Sequence, residues 1–484
     1  MAGWLSVAAM RRVAAFVCMA LAVGVAAADE PTTWYTIVAD SGATLGHVSL
    51  EVAPRADGRD LIESQRIYLR ERGAAANRTT TRTVVHEDAA GRVSSIESTA
   101  RTGRFLTRTH ASIGADRVDV VRETPAGSGR ETILLPPDVR FDDGEGLMQS
   151  WAPESTPRLE FLNFDSDSMA VERIVVEALG APDAQSRLNA VRWRYDGQDL
   201  RGVSRLVLEN GRLIEVAQPM FGETFRVRLT DRATAEQRHP PYQVIPNMAQ
   251  RAPFQISQEA RRGHIRYRYA FRDGVTFPLP QTGEQRATIH DGFVTLDICA
   301  TCGPGLPTDA ESLAAARRPT AWLQSDHPRL QAMAAAARGY DVSDARKMEV
   351  LLERAIPYLE EADFNGHYSA LDTLERRRGD CTEAAVLLAA LGRAAGIPTR
   401  VASGVSYSRQ SYHGVSNAFI PHSWVVAYVD GRWRSFDLAL REFDSAHIAL
   451  TIGDGDPRSI AAAGQVASLL RLDTMADVRA RVSG

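Results

Sequence analysis

Hydrophobic positions change period along the chain, and the change divides it. From about Thr33 to Thr230, apolar and polar residues alternate in short runs bounded by turn residues, among them Thr79 to Val85, Val93 to Ile96, Phe105 to Thr109 and Val118 to Val121. A period of two sends successive side chains to opposite faces and marks strands. Two turns are explicit: Asn210-Gly211 lies between Leu206-Val-Leu208 and Leu213-Ile-Glu-Val216, and Asp196-Gly197 follows Val191-Arg-Trp-Arg-Tyr195. Such dipeptides accept the left-handed backbone of tight hairpins. The region reads as antiparallel β. Its outward positions are crowded with Arg, Glu and Asp, which a lipid-facing wall excludes, so a soluble sheet or half-barrel is expected rather than an outer-membrane barrel.

Prolines then interrupt the pattern at His239-Pro240-Pro241, Pro246 and Pro253, where a linker is expected. Beyond it, Gly263 to Phe271 and Arg286 to Cys299 read as strands of a small β module that ends in Cys299-Ala-Thr-Cys302-Gly303-Pro304-Gly305. From about Asp309 the period becomes helical. Ser343 precedes Met348, Leu351, Leu352, Ala355, Ile356 and Leu359, a spacing that lines one face of a helix. The expected fold class is α+β. Its segments are a β-rich domain over residues 29–238, a small β module over 247–308 and an α/β-containing domain over 309–484.

Composition adds limits. At 484 residues, 44% hydrophobic and 24% charged, the chain can bury several cores and is a poor candidate for disorder. Arg11-Arg12, the apolar run Val13 to Val25 and Ala26-Ala27-Ala28 have the three parts of a signal peptide, expected to be cut near Ala28. The run is short of the roughly 20 residues that span a bilayer. Export to the periplasm or outside follows, with Cys18 leaving in the signal. Cleavage takes the formal charge from −4 to −6 through loss of Arg11 and Arg12. Nothing favours nucleic acid as a partner, and the near absence of lysine (only Lys347) is given no functional weight.

Three cysteines remain after cleavage, Cys299, Cys302 and Cys381, in a compartment that permits disulfides. Zinc at Cys299-x-x-Cys302 lacks a second ligand pair, and Gly303-Pro304-Gly305 would break the helix a thioredoxin-like centre needs. A local Cys299–Cys302 disulfide is expected, with no metal and no cofactor site elsewhere. Cys381 stays free. Asp380 fits an N-cap, Glu383 completes a capping box, and Gly396 with Pro398 supplies the stop, so Cys381 is the first residue of a helix. Exposed N–H groups and the helix dipole favour a thiolate at that position.

A thiol nucleophile needs a base and a group to orient it. His422-Ser-Trp-Val-Val-Ala-Tyr-Val429 and Arg432-Trp-Arg-Ser-Phe-Asp437 flank Asp430-Gly431, so a two-residue turn sets Val429 opposite Arg432 and Asp437 opposite Trp424. His422 shares the face of Trp424 and lies diagonal to Asp437, about 5 to 8 Å away at Cβ. Most of the eleven histidines read as satisfied surface or core residues, and His422 is set apart because hairpin geometry supplies its Asp.

Gly379-Asp-Cys-Thr-Glu383, Gly396-Ile-Pro-Thr-Arg-Val401, His422-Ser-Trp and Gly431-Arg-Trp with Asp437 resemble the transglutaminase-like superfamily over about residues 340–450. The resemblance implies a papain-like fold for that part. It also implies Cys381 as nucleophile, His422 as general base and Asp437 as orienting acid in amide acyl chemistry. Leu438 departs from the Pro or Ala of many bacterial members. The activity implied is an exported thiol-dependent amide hydrolase or acyltransferase. It would act through a thioester on protein or peptide carboxamides, cell-wall peptide among the candidate substrates, with the Cys381 N–H as one oxyanion donor. His367 and Tyr368 are candidates for a second donor, and the loop Ser408 to Pro421 for a cover over the thiol. The alternative is a catalytically idle scaffold or binding protein of the cell envelope. No catalytic cluster is expected in the β-rich region, where His47, His86 and His110 read as surface or sheet residues.

Overall fold

The computed structural model describes residues 32–478 apart from 71–76, 103–104, 143, 198, 221, 244–248, 273–274, 340, 362–366 and 411–414. The expected signal segment and Cys18 lie outside the described residues. The chain forms two compact units, one ending at Val244 and one running from Ile245 to Gly484.

In the first unit, consecutive strands pair antiparallel from Thr32–Ala39 to Gly127–Leu134 and from Arg158–Asp165 to Glu223–Thr230. The two meanders join where the first strand meets the last, with Ile37 opposite Val227. Asn210 and Gly211 both have positive φ, and Glu209 faces Arg212 across them, the tight hairpin expected there. Phe164 and Met169, from one end of the strand order, pack with Leu61, Val85, Ile96 and Val118 from the other half, so the sheet curls back onto itself.

That curl changes the reading of the charges. Leu188, Ala190, Arg192 and Arg194 share one face of Arg187–Asp196, and all are buried. Glu172 on the neighbouring strand and Glu63 on Gly58–Arg70 are buried too. Part of the charge assigned to the outward face thus lies inside. Alternation separates two faces, but only curvature decides which of them is dry.

The second unit is built around the helix Cys381–Ala394, every residue of which is buried. It packs on a sheet ordered Gln250–Arg251, Ala418–Val429, Thr399–Ser408, His447–Gly453, with Arg432–Phe436 paired to Ala418–Val429. Ala402, Trp424, Val426, Trp433 and Ala449 form a core cluster on this sheet. The strands Gln285–His290, Phe293–Ile298 and Ile265–Phe271 take their fourth partner, Leu470–Asp477, from the far end of the chain.

Ser343 caps the helix Asp344–Ala355, whose Met348, Leu351 and Ala355 are buried. The apolar stripe stops short of expectation. Pro357 has no N–H to continue the helix, and Ile356 stays exposed in a short 3-10 turn. Among the described residues, no helix is long and apolar enough to cross a membrane.

Candidate active site

Local chemistry sets the start of the Cys381 helix. Asp380 has extended backbone, and its Oδ1 accepts the Thr382 N–H at 2.7 Å, while the Asp380 N–H donates to Glu383 Oε2 at 3.0 Å. The second oxygen of Glu383 accepts the Tyr368 N–H at 3.3 Å. Burial pushes the Glu383 carboxyl up, and the hydrogen bonds offset only part of that. Gly379 belongs to the same device, since a Cβ there would meet Glu383 Cβ at 2.4 Å. Gly-Asp-Cys-Thr-Glu is therefore a packed capping box that places Cys381 in the first helical turn, 1% exposed.

The hairpin sets the second group. Asp430 and Gly431 both have positive φ, Val429 faces Arg432, and the ladder runs to Val425 opposite Phe436. Asp437 follows directly. His422 Nε2 donates to Asp437 Oδ2 at 2.6 Å, and Asp437 Oδ1 accepts the Leu440 N–H at 2.9 Å. The His422 ring stacks near-parallel to Trp424 at 6.1 Å, so both hydrogen bonding and packing orient it. With Nε2 committed to Asp437, Nδ1 is the ring nitrogen that can exchange a proton with a thiol or a leaving amine.

Sequence reasoning missed His447. It opens the strand His447–Gly453, with Ser406 as its neighbour in the adjoining strand. His447 Nε2 lies 3.1 Å from the same Asp437 Oδ2, and its Nδ1 lies 3.1 Å from Asp444 Oδ1. Arg261 Nε donates to Asp444 Oδ2 at 2.6 Å. The spacing Asp444-Ser-Ala-His447 was the available signal, but nothing local pointed it at Asp437.

Electrostatics follow this arrangement. Burial lowers the pKa of His422, and Asp437 restores only part of it while the charge of His447 lowers it further. Burial also opposes charge on His447, but the two carboxylates win and raise it to about 9. Burial would raise Asp437, yet its two histidines hold it well below the usual carboxylate range. One ligand atom each from His422, Asp437 and His447 fall within 4.8 Å of one another. Both His–Asp contacts are already at hydrogen-bond length, so an ion there would have to displace the protons that satisfy Asp437.

The remaining candidates separate. His367 Nε2 donates to the Gly455 carbonyl at 2.8 Å, and the Tyr368 ring lies under the Arg376 guanidinium at 3.6 Å, so both have packing partners. The loop expected over Ser408 to Pro421 is shorter, because residues 418–421 already belong to the buried strand Ala418–Val429. Within it, residues 411–414, including Gly414, lie outside the described residues, and Asn417 Oδ1 accepts the Tyr407 hydroxyl at 2.5 Å. Cys299 and Cys302 form a disulfide.

Residues 331–438 match the sequence model of the transglutaminase-like superfamily, a span that includes Cys381, His422 and Asp437. The C-terminal unit carries a transglutaminase-like domain. No curated protein sequence matches the chain. Among solved structures, a β-barrel-like protein of a domain family of unknown function from Brucella abortus is 15% identical, with 41% of this chain and 95% of that one covered and a TM-score of 0.33. A candidate cysteine protease from Cytophaga hutchinsonii is 19% identical, with coverage of 45% and 83% and a TM-score of 0.27. A candidate protease from Parabacteroides distasonis is 13% identical, with coverage of 79% and 65% and a TM-score of 0.19. The transglutaminase-like domain thus follows a large antiparallel β region in one chain.

Proposed function

We propose that the protein is an exported thiol-dependent amide hydrolase or acyltransferase, with Cys381 as nucleophile, His422 as base and acid, and Asp437 as the group that orients His422. The observation that carries this reading is the buried 2.6 Å contact between His422 Nε2 and Asp437 Oδ2, in the same domain as a cysteine in the first turn of a capped helix. The Cys381 thiolate attacks a carboxamide carbon, forming a C–S bond and an oxyanion for which the Cys381 N–H is a donor. The C–N bond then breaks as His422 Nδ1 gives its proton to the leaving amine. Water attacks the resulting thioester and gives a proton back to His422, and Cys381 leaves as the acid forms. An amine in place of water would give transfer. Protein or cell-wall peptide fits as the substrate class, and the Cys299–Cys302 disulfide fits an oxidising compartment.

Thiol reactivity tests the reading. In the folded protein, iodoacetamide should alkylate Cys381 near pH 6 faster than it alkylates a model thiol, and a Cys381→Ala variant should retain peptide substrates from periplasmic extract. Alkylation no faster than the model thiol removes the activated nucleophile. It would then favour a catalytically idle scaffold, the reading that the 1% exposure of Cys381 also supports.

A further inference from the structure

Resting on that reading of the triad, we propose that His447 is a positioning residue for the reaction: it donates from Nε2 to the Asp437 oxygen that also receives His422 and from Nδ1 to Asp444, holding the carboxylate in place and keeping a cation beside it.

Geometry carries the charge assignment. Carboxylate oxygens only accept, and each ring nitrogen of His447 has one at 3.1 Å, so both nitrogens bear protons. At Nδ1 the Asp444 carbonyl adds a second acceptor at 3.2 Å, against one opposing contact, the Asp444 N–H directed at Nδ1 at 3.3 Å. Ser406 Oγ is 3.4 Å from Nε2. The Phe443 and Trp424 rings close the apolar sides, at 4.8 and 5.3 Å between centroids. Among the described residues, other charged or titratable groups nearby include His422, at 5.5 Å between ring centroids, and Arg261, which holds Asp444 from the helix Gln258–Arg262. Tyr267 approaches from Ile265–Phe271, donates to the Ser445 carbonyl and stays neutral because burial pushes it up. The raised pKa of His447, about 9, agrees with the geometry.

The consequence is specific. With one carboxylate alone, His422 would hold its proton tightly. A second cation on Asp437 weakens that hold, so protonated His422 surrenders its proton to the leaving amine more readily. His447 touches no reacting atom and acts through Asp437.

The test uses the full chain. In nitrogen-15 histidine NMR of the unlabelled-thiol protein, His447 should show both ring nitrogens protonated at pH 7, while His422 reads as neutral. His447→Gln keeps one donor and removes the charge. It should move the alkaline limb of the Cys381 alkylation profile upward by about one pH unit and lower kcat about tenfold with KM little changed. His447→Leu, which removes both donors, should lose about a hundredfold. A neutral His447 tautomer at pH 7, or a His447→Gln profile identical to wild type, overturns the proposal. Stoichiometric zinc in the purified protein with loss of the imidazolium signals does so as well. If the variants do not fold, the wild-type NMR spectrum still decides. Slow wild-type alkylation near pH 6 would instead remove the nucleophile and leave the His447 assignment to the same spectrum.

Discussion

In the C-terminal unit, one chain of short contacts runs from the buried His422 through Asp437 and His447 to Asp444 and on to the half-buried Arg261. In the β region, the buried charges are spread over several strands of the sheet. Arg194 Nη1 lies 3.6 Å from Glu172 and 3.7 Å from Asp165, and among the described residues Glu63 Oε2 makes no hydrogen bond. The first arrangement sets donor against acceptor atom by atom and leaves His422 Nδ1 for proton exchange. In the second, burial, with Asp167 and Asp165 nearby, pushes the Glu63 carboxyl well up. Atom-to-atom matching is what proton transfer requires, whereas a sheet interior needs only charge balance.

The largest test of this contrast is Asp437→Asn. It should lower turnover by about 10² to 10⁴-fold, because an amide can donate where His422 and His447 both need an acceptor, and folding monitored by circular dichroism should persist. Near-normal turnover in a folded variant would dissolve the matched chain. Arg194→Met comes next. It leaves Glu172 and Asp165 with less compensation, and chemical denaturation should show a loss of about 3 to 5 kcal/mol in the β region, with Cys381 alkylation unchanged.

The pH dependence of stability is third. His447 is raised to about 9, so its contribution is complete below the unfolded value near 6.5 and is lost as pH climbs to about 9, roughly 3 kcal/mol in all. His422, Asp437 and Asp444 are lowered, so their contributions are present above their ordinary values and fade as pH falls through them. Thermal scans of the C-terminal unfolding transition should therefore peak near pH 6 to 7, and His447→Gln should flatten the alkaline side. An alkaline side equally steep in that variant would assign it elsewhere. The smallest effect is Glu63→Gln. Burial, with Asp167 and Asp165 nearby, raises Glu63, and a neutral group there becomes less favourable relative to the unfolded chain as pH rises above about 4.5. The amide should stabilise the β region by about 1 kcal/mol at pH 7, read as a rise in Tm that disappears near pH 4.

Much of the candidate site was legible because it is local. The capping box spans Asp380 to Glu383, and the turn at Asp430-Gly431 sets a register that carries His422 to Asp437 across fifteen residues. The Cys299–Cys302 disulfide spans three. In each case backbone geometry at a few bonds determines the contact, so residue types and spacing suffice. The alternating strands of the β region were legible for the same reason.

What only the tertiary structure decided depends on chain segments meeting from afar. His447 reaches Asp437 because its strand pairs with Thr399–Ser408, which in turn pairs with the strand of His422. Leu470–Asp477 joins Ile265–Phe271 across some two hundred residues, and no local period announces a partner at that distance. Arg192 and Arg194 alternate as any strand residues do, yet both are buried. Periodicity determined which side chains share a face. Which face meets water, and which histidine meets which carboxylate, was decided by long-range packing.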